Sequence, residues 1–267
     1  MSHYLMCSPD HFDVVSRLNP WMDPSAPVDT AKAIRQWESL ADLYEDLGHT
    51  VDVVPSVAGL PDMVFAANAG VSIDGKMMAA VMASEERRGE QAHYRKWFDA
   101  AGFDEVLIPD HVNEGEGDFL FTGETLLAGT GFRTDPRAHA EAQSFFDVEV
   151  ITLELVDPRW YHLDTALFAS RPDLIVWYPG AFSERSQQVL RRRFPESIEA
   201  TTDDALGFGL NSTSDGDHVV MPASAPALAA RLEAEGIEVH TVELSELMKA
   251  GGSVKCCTLD IRQGAIH

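Results

Sequence analysis

A chain of 267 residues, 45% of them hydrophobic, can bury a sizeable core, which excludes an intrinsically disordered polypeptide. Its 43 acidic residues against 20 basic ones give a formal charge of -23, a field that repels nucleic acid and anionic membranes and attracts cations. No apolar run reaches the ~18 residues that cross a bilayer, the N-terminal MSHYLMCSPDHFDVVSRL lacks a secretory pattern, and three cysteines are too few for a disulfide framework. A reducing cytoplasm is therefore expected.

The N-terminal HYLMCSP reads as a strand. APVDTAKAIRQWESLADLYEDLG follows as a helix, with Ile34, Trp37, Leu40, Ala41, Leu43 and Tyr44 near helical spacing, and TVDVVP as a second strand. VFAANAGVSIDGKMMAAVMA then gives two apolar runs joined at Asp74-Gly75, a hairpin signal, followed by the helical SEERRGEQAHYRKWFDAAG and the short strand EVLIP. The same order recurs three times. DFLFTGETLLAGT turns near Gly123, before DPRAHAEAQSFF and EVITLEL. DTALFASRPDLIVWYP turns near Arg171-Pro172, before SERSQQVLRRRF and SIEATT. GLNSTSDGDHVVMP turns at Asp215-Gly216, before APALAARLEAEG and EVHTVEL. The turns fall about 45 to 50 residues apart, the range of propeller-like repeats. A fifth unit assembles from the two ends, SVKCCTLDIR supplying its remaining strand. The pattern predicts one catalytic domain over 1–267, a five-bladed, pseudo-symmetric α/β propeller closed without exposed sheet edges. An ordinary irregular α/β sheet is the alternative.

In such a ring chemistry comes from equivalent places in successive units: PDMVFAANAG, NEGEGDF, WYHLDTAL and GGSVKCCT. Each residue has a plain structural reading beside the chemical one. His162 is one of ten histidines and can be a hydrogen-bonded core residue or an acid–base group. Glu114, Glu116 and Asp118 alternate with glycines, either as a solvated acidic loop or as a site facing a cation. Neither the calcium-loop spacing nor a paired zinc-ligand pattern is present. Cys256 and Cys257 alternate faces if they lie in a strand; each is inert packing or a nucleophile that needs a partner base. Asn68 and Asp62 read equally as turn formers.

In this order the motifs resemble the guanidino-group-modifying enzymes, the amidinotransferase or pentein superfamily, and within it dimethylarginine dimethylaminohydrolase and cyanobacterial-type arginine dihydrolase. The likeness runs nearly end to end through LPDMVFAANAG, ASEERRGE, EGEGDFLFTG, GFRTDPRAHAEA, YHLDTAL and GGSVKCCTLDIR. It implies a five-bladed α/β propeller and a cysteine hydrolase without cofactor or metal. The substrate it implies is a small cationic guanidino compound, and it leaves a homo-oligomer open. By position it assigns the nucleophile to Cys256, the acid–base group to His162 and the triad acid to Glu114, with Glu116 in reserve because E-G-E-G-D carries one residue more than the family pattern. It assigns substrate contacts to Asp62, Asn68, Asp164, Arg133 and Arg88 (or Arg87), with Glu116 near them. The resemblance further implies thiolate attack on the guanidino carbon and a covalent thiouronium. Asn68 stands where the dimethylarginine hydrolases and the deiminases carry Asp, and Ala67 where the dimethylarginine enzymes tend to carry Glu, so the pattern leans towards arginine dihydrolase. Dimethylarginine hydrolase, arginine deiminase and amidinotransferase are the related alternatives. A non-enzymatic propeller would be expected to lack the Cys and His, and a metal hydrolase would have to use the acidic loop.

Overall fold

The computed structural model describes residues 1–262. The N-terminal strand β1 (His3–Cys7) is followed by α1 (Thr30–Asp46), capped by Asp29, whose carboxylate accepts the Lys32 N–H, and by β2 (Thr50–Val54). The second blade holds β3 (Gly70–Ile73), β4 (Lys76–Ala79), α2 (Glu90–Ala100) and β5 (Glu105–Leu107). The third holds β6 (Phe119–Phe121), β7 (Thr125–Thr130), α3 (Pro136–Phe146) and β8 (Glu149–Glu154). The fourth holds β9 (Leu167–Arg171), β10 (Leu174–Trp177), α4 (Glu184–Arg193) and β11 (Ile198–Glu199). After a short helix α5 (Thr202–Leu206), the fifth holds β12 (Thr213–Ser214), β13 (His218–Pro222), α6 (Pro226–Ala234) and β14 (Glu238–Val242). The last strand, β15 (Leu259–Asp260), returns to the first blade.

The five sheets are β15-β1-β2, β3-β4-β5, β6-β7-β8, β9-β10-β11 and β12-β13-β14. In each, an antiparallel pair is followed by a helical crossover to a parallel third strand. The expected repeat is therefore present in all five units, the terminal one included. Asp74 and Gly75 both adopt positive φ, 47° and 79°, the backbone that a two-residue hairpin turn requires.

Neighbouring blades meet along the inner strands. Ser72 of β3 donates to the Asp260 carbonyl of β15, and Ser214 of β12 donates to the Ser170 carbonyl of β9. Ring closure is carried by Tyr44. Its side chain is fully buried and its hydroxyl contacts Thr213 at 2.9 Å and Thr258 at 3.0 Å, tying α1 to the fifth blade and to the approach to β15. The helices cover the outer faces of the sheets through apolar clusters, such as Phe168, Val176, Trp177 and Leu190, and side chains of this size contribute about 1.5–3 kcal/mol each on burial.

Two expectations need correction. The segment around the paired cysteines is not strand. Residues 254–257 are turns, with Cys257 N–H bonded to Ser253 O and Thr258 N–H to Lys255 O, and extended pairing begins only at Leu259. SIEATT is also only briefly extended, because Thr201 and Asp204 form a reciprocal capping box that starts α5.

Candidate active site

Short 3-10 turns precede three of the inner strands: Pro61–Val64 and Ala66–Ala69 before β3, Gly115–Gly117 before β6, and Leu163–Thr165 before β9. Loop residues 207–212 and 251–258 do the same before β12 and β15. These five segments converge at one end of the ring. The two glycines of E-G-E-G-D make that approach possible. Gly115 has φ 55°, and a Cβ on it would lie 2.6 Å from Gly70 N; on Gly117 it would lie 2.3 Å from Asn68 Nδ2 and 3.2 Å from His162 Nδ1.

His162 Nε2 lies 2.6 Å from Glu114 Oε2, and both side chains are buried. The other Glu114 oxygen accepts the Ala83 N–H, and Arg133 Nη1 reaches both oxygens at 3.3 and 3.4 Å. Burial alone would raise the Glu114 carboxyl. The His162 bond and charge, with Arg133 and Arg87, instead hold it well below the usual carboxylate range. Glu114 therefore stays ionised and can stabilise an imidazolium. His162 Nδ1 is buried without a hydrogen-bond partner among the described residues, which leaves it available to a reacting group.

Cys256 Sγ lies 3.1 Å from Asp164 Oδ2 and 3.2 Å from Asn211 Nδ2. Burial, then the charge and hydrogen bond of Asp164, push the thiol well above its ordinary value. Burial also raises the Asp164 carboxyl, to about 6, against opposing contributions from His162, Cys256 and Lys255. The second oxygen, Asp164 Oδ1, is buried without a hydrogen-bond partner among the described residues. A thiol held neutral beside an unpaired carboxylate oxygen is arranged to receive a cation, which would favour both anions at once.

The cleft before Cys256 is narrow, with a free volume of about 20 Å³, and is lined by Asp62, Asn68, Arg87, Arg133, Tyr161 and, from the N-terminal loop, Leu18. Arg133 Nη2 donates to Leu18 O at 2.6 Å, and its guanidinium lies 4.9 Å from the Tyr161 ring centroid. Asn68 accepts from Arg87 Nη1 at 2.9 Å and donates to Glu114 O at 3.1 Å. Asp62 is buried, and burial raises its carboxyl despite Arg87 and Arg133. A wider depression at the opposite end of the ring, among the hairpin turns at Gly123, Pro172 and Gly216, contains none of these groups.

Two of the expected site residues lie elsewhere. Arg88 is exposed and paired with Glu85, whereas Arg87 is the buried guanidinium in the cleft, held by both oxygens of Glu90. Glu116 turns away from Cys256. It bonds Lys255 Nζ at 2.5 Å and also Arg262, so its charge is spent inside the ring. Asp118 meets Thr134 and the Leu163 N–H. The three carboxylates of the acidic loop thus point to different partners, and the cations that Glu114 and Glu116 face are side chains of the protein itself.

Asn211 was not anticipated. Its amide bonds Cys256 Sγ and the Asp164 carbonyl, while its carbonyl oxygen accepts the N–H groups of Ser253 and Cys256. The signal that could have found it is the repeat: Asn211 stands two residues before β12, as Asn68 stands two before β3.

This constellation has relatives. The profile described as N,N dimethylarginine dimethylhydrolase, eukaryotic, matches residues 18–263. The chain belongs to the dimethylarginine dimethylaminohydrolase family. It is 49% identical over 97% of its length to the Mycobacterium tuberculosis (strain ATCC 25618 / H37Rv) protein named N(G),N(G)-dimethylarginine dimethylaminohydrolase, covering 85% of that protein. It is 35% identical, again over 97% of its length, to the bifunctional arginine dihydrolase/ornithine cyclodeaminase ArgZ of Synechocystis sp. (strain ATCC 27184 / PCC 6803 / Kazusa), and spans 37% of that longer protein. The product-bound N-terminal domain of ArgZ, described as an arginine dihydrolase, superposes with a TM-score of 0.93 at 35% identity, with 98% of each chain covered. A citrulline complex of the Pseudomonas aeruginosa dimethylarginine dimethylaminohydrolase shares the fold, with a TM-score of 0.84 at 20% identity over 97% of this chain and 99% of that one. Membership of the dimethylarginine dimethylaminohydrolase family makes the protein a hydrolase of amidine C–N bonds in guanidino groups, built on the five-bladed pentein propeller.

Proposed function

We propose that the protein is an arginine dihydrolase, taking L-arginine to ornithine, two ammonia and carbon dioxide. The observation that carries this reading is Asn68, a buried neutral amide in the cleft that retains one N–H beyond its bond to Glu114 O. A carboxylate there could only accept, which suits a guanidinium but repels the carbonyl oxygen of a ureido group. An amide N–H can donate to that oxygen and hold citrulline for a second attack. The likeness to the ArgZ domain supports the reading.

The proposed chemistry uses these groups in turn. The guanidinium enters against Asp164 Oδ1, and its charge favours the Cys256 thiolate. His162 Nδ1 takes the thiol proton, Sγ attacks the central carbon, and the same proton leaves with ammonia, giving a cationic thiouronium. Water attacks, the C–S bond breaks, Sγ regains a proton, and one proton is released as citrulline forms. In the second round Sγ attacks the ureido carbon, a second ammonia leaves, and water cleaves the thiocarbamate to a carbamate that loses carbon dioxide. Glu114 holds His162 throughout.

A second reading, hydrolysis of dimethylarginine to citrulline and dimethylamine, is favoured by the name of the 49% identical relative. The test is to incubate the protein, Cys256→Ser and Asn68→Asp with arginine, mono- and dimethylarginine and agmatine, and to separate citrulline, ornithine and amines. Ornithine from arginine, no product with Cys256→Ser, and accumulation of citrulline with Asn68→Asp are expected. Dimethylamine release with arginine untouched would establish the second reading, and an unchanged ratio in Asn68→Asp would remove the role of Asn68.

A further inference from the structure

Outside the guanidino site, three metal-ligating side chains meet on one face of the fifth blade. His218 of β13 is the register partner of Glu238 on β14, and His240, two residues further along β14, projects to the same side. One ligand atom from each lies within 4.8 Å of the others. His218 Nε2 is 4.0 Å from Glu238 Oε2, and His240 Nε2 is 3.2 Å from Glu238 Oε1. Both imidazoles are partly covered, whereas Glu238 is exposed, so an ion can enter from solvent.

Two further observations point to a ligand. His240 Nε2 is buried and, among the described residues, makes no aligned hydrogen bond, its approach to Glu238 Oε1 at 3.2 Å being an ion pair only when the ring is protonated. His218 has its tautomer set from behind. Its Nδ1 lies 2.9 Å from Asp215 Oδ2, and the other Asp215 oxygen accepts the N–H groups of His218 and Asp217. The other imidazole on that oxygen, His49 at 3.2 Å, accepts the Ser2 N–H on its Nδ1 and so donates from Nε2. Asp215 thus contacts both imidazoles, and with Nδ1 turned to it His218 directs Nε2 towards Glu238 and His240. A carboxylate behind a histidine is the arrangement that orients metal-ligating imidazoles.

We propose that His218, Glu238 and His240 form a binding site for a divalent first-row transition ion of the zinc type, with Asp215 positioning His218. Two imidazoles and a carboxylate make a three-ligand set that leaves a coordination position to water. The bound ion would bridge β13 and β14 and offset the charge of a chain at -23.

The site is tested by titrating Zn²⁺ at pH 7.5 against a chromophoric chelator, using Cys256→Ser so that the cleft thiol offers no ligand. One ion per chain is expected. Its affinity should fall at least tenfold in His240→Ala and in Glu238→Gln, fall in Asp215→Asn by about 10–100-fold, and stay unchanged in His93→Ala, where an exposed histidine is removed elsewhere. Glu238→Gln alters an exposed side chain and keeps the test informative if His240→Ala fails to fold. No zinc bound in the Cys256→Ser background, or affinity undiminished by Glu238→Gln, would overturn the site.

Discussion

Asn211 grips Cys256 at both ends: its Nδ2 lies 3.2 Å from Sγ, and its Oδ1 accepts the Cys256 N–H at 3.2 Å. The same Oδ1 takes the Ser253 N–H at 2.9 Å, so one side chain shapes the turn that carries the thiol and supplies a donor to it. Asn211→Ala orphans two buried N–H groups, at about 1–3 kcal/mol each. Asn211→Asp keeps that oxygen but sets a carboxylate beside sulfur. Asn211→Asp is therefore expected to melt closer to the parent than Asn211→Ala does, while its kcat/KM falls about a hundredfold or more and its pH profile moves to higher pH. Equal pH profiles for parent and Asn211→Asp would show that the amide shapes the turn only.

Asp164 makes stability and activity run in opposite directions with pH. Burial raises its carboxyl to about 6, so the folded protein holds a proton that the unfolded chain, near ~3.9, has already released. Stability therefore falls as pH rises between those values, and the full penalty, roughly 3 kcal/mol, is carried above about 6. Asp164→Asn removes the ionisation. Calorimetry should find this variant melting above the parent at pH 7.5, with the gap closing at pH 4, while its kcat/KM is lower by about a hundredfold or more. A gap independent of pH would contradict the linkage.

Adjacent arginines should behave oppositely. Arg87→Met leaves Glu90 buried and unpaired and frees Asn68 Oδ1, so a loss of about 3–5 kcal/mol with collapse of activity is expected. Arg88 is exposed and pairs with Glu85 at the surface, and Arg88→Met should stay within about 0.5 kcal/mol of the parent in stability and keep its kcat/KM. Denaturant unfolding and steady-state kinetics on the two variants decide the assignment.

The contrast between those arginines shows where sequence reading stops. Asp74-Gly75 and Asp215-Gly216 announce their hairpins because few residues accept the turn backbone, and Trp37, Leu40 and Tyr44 announce α1 through their spacing. Four visible units, with a fifth assembled from the two ends, predict the ring. Which of two neighbouring arginines faces inward depends on the turn before α2, which has no periodicity. The cysteine segment misleads for a related reason. S-V-K-C-C-T has strand-like residues, but Asn211, more than 40 positions away, holds it as turns, and tertiary contacts override local preference. His218, Glu238 and His240 are likewise joined only by strand register.

The two glutamates of E-G-E-G-D can be separated by what each leaves behind. Glu114 faces His162 and Arg133 beside the cleft; Glu116 faces Lys255 and Arg262 within the ring. Glu116→Gln strips the buried Lys255 ammonium of its closest counter-charge, leaving Asp260 at 3.5 Å, and a loss of about 3–5 kcal/mol is expected. Nothing in that cluster touches the Cys256 sulfur, so folded Glu116→Gln should keep kcat within severalfold of the parent. Glu114→Gln keeps the shape but removes the charge that supports a protonated His162. Its kcat should drop by about 10²–10⁴ with a smaller change in melting temperature, because Arg133 retains the Leu18 carbonyl. If Glu116→Gln were instead the inactive, stable variant, the acid behind His162 would have to be reassigned.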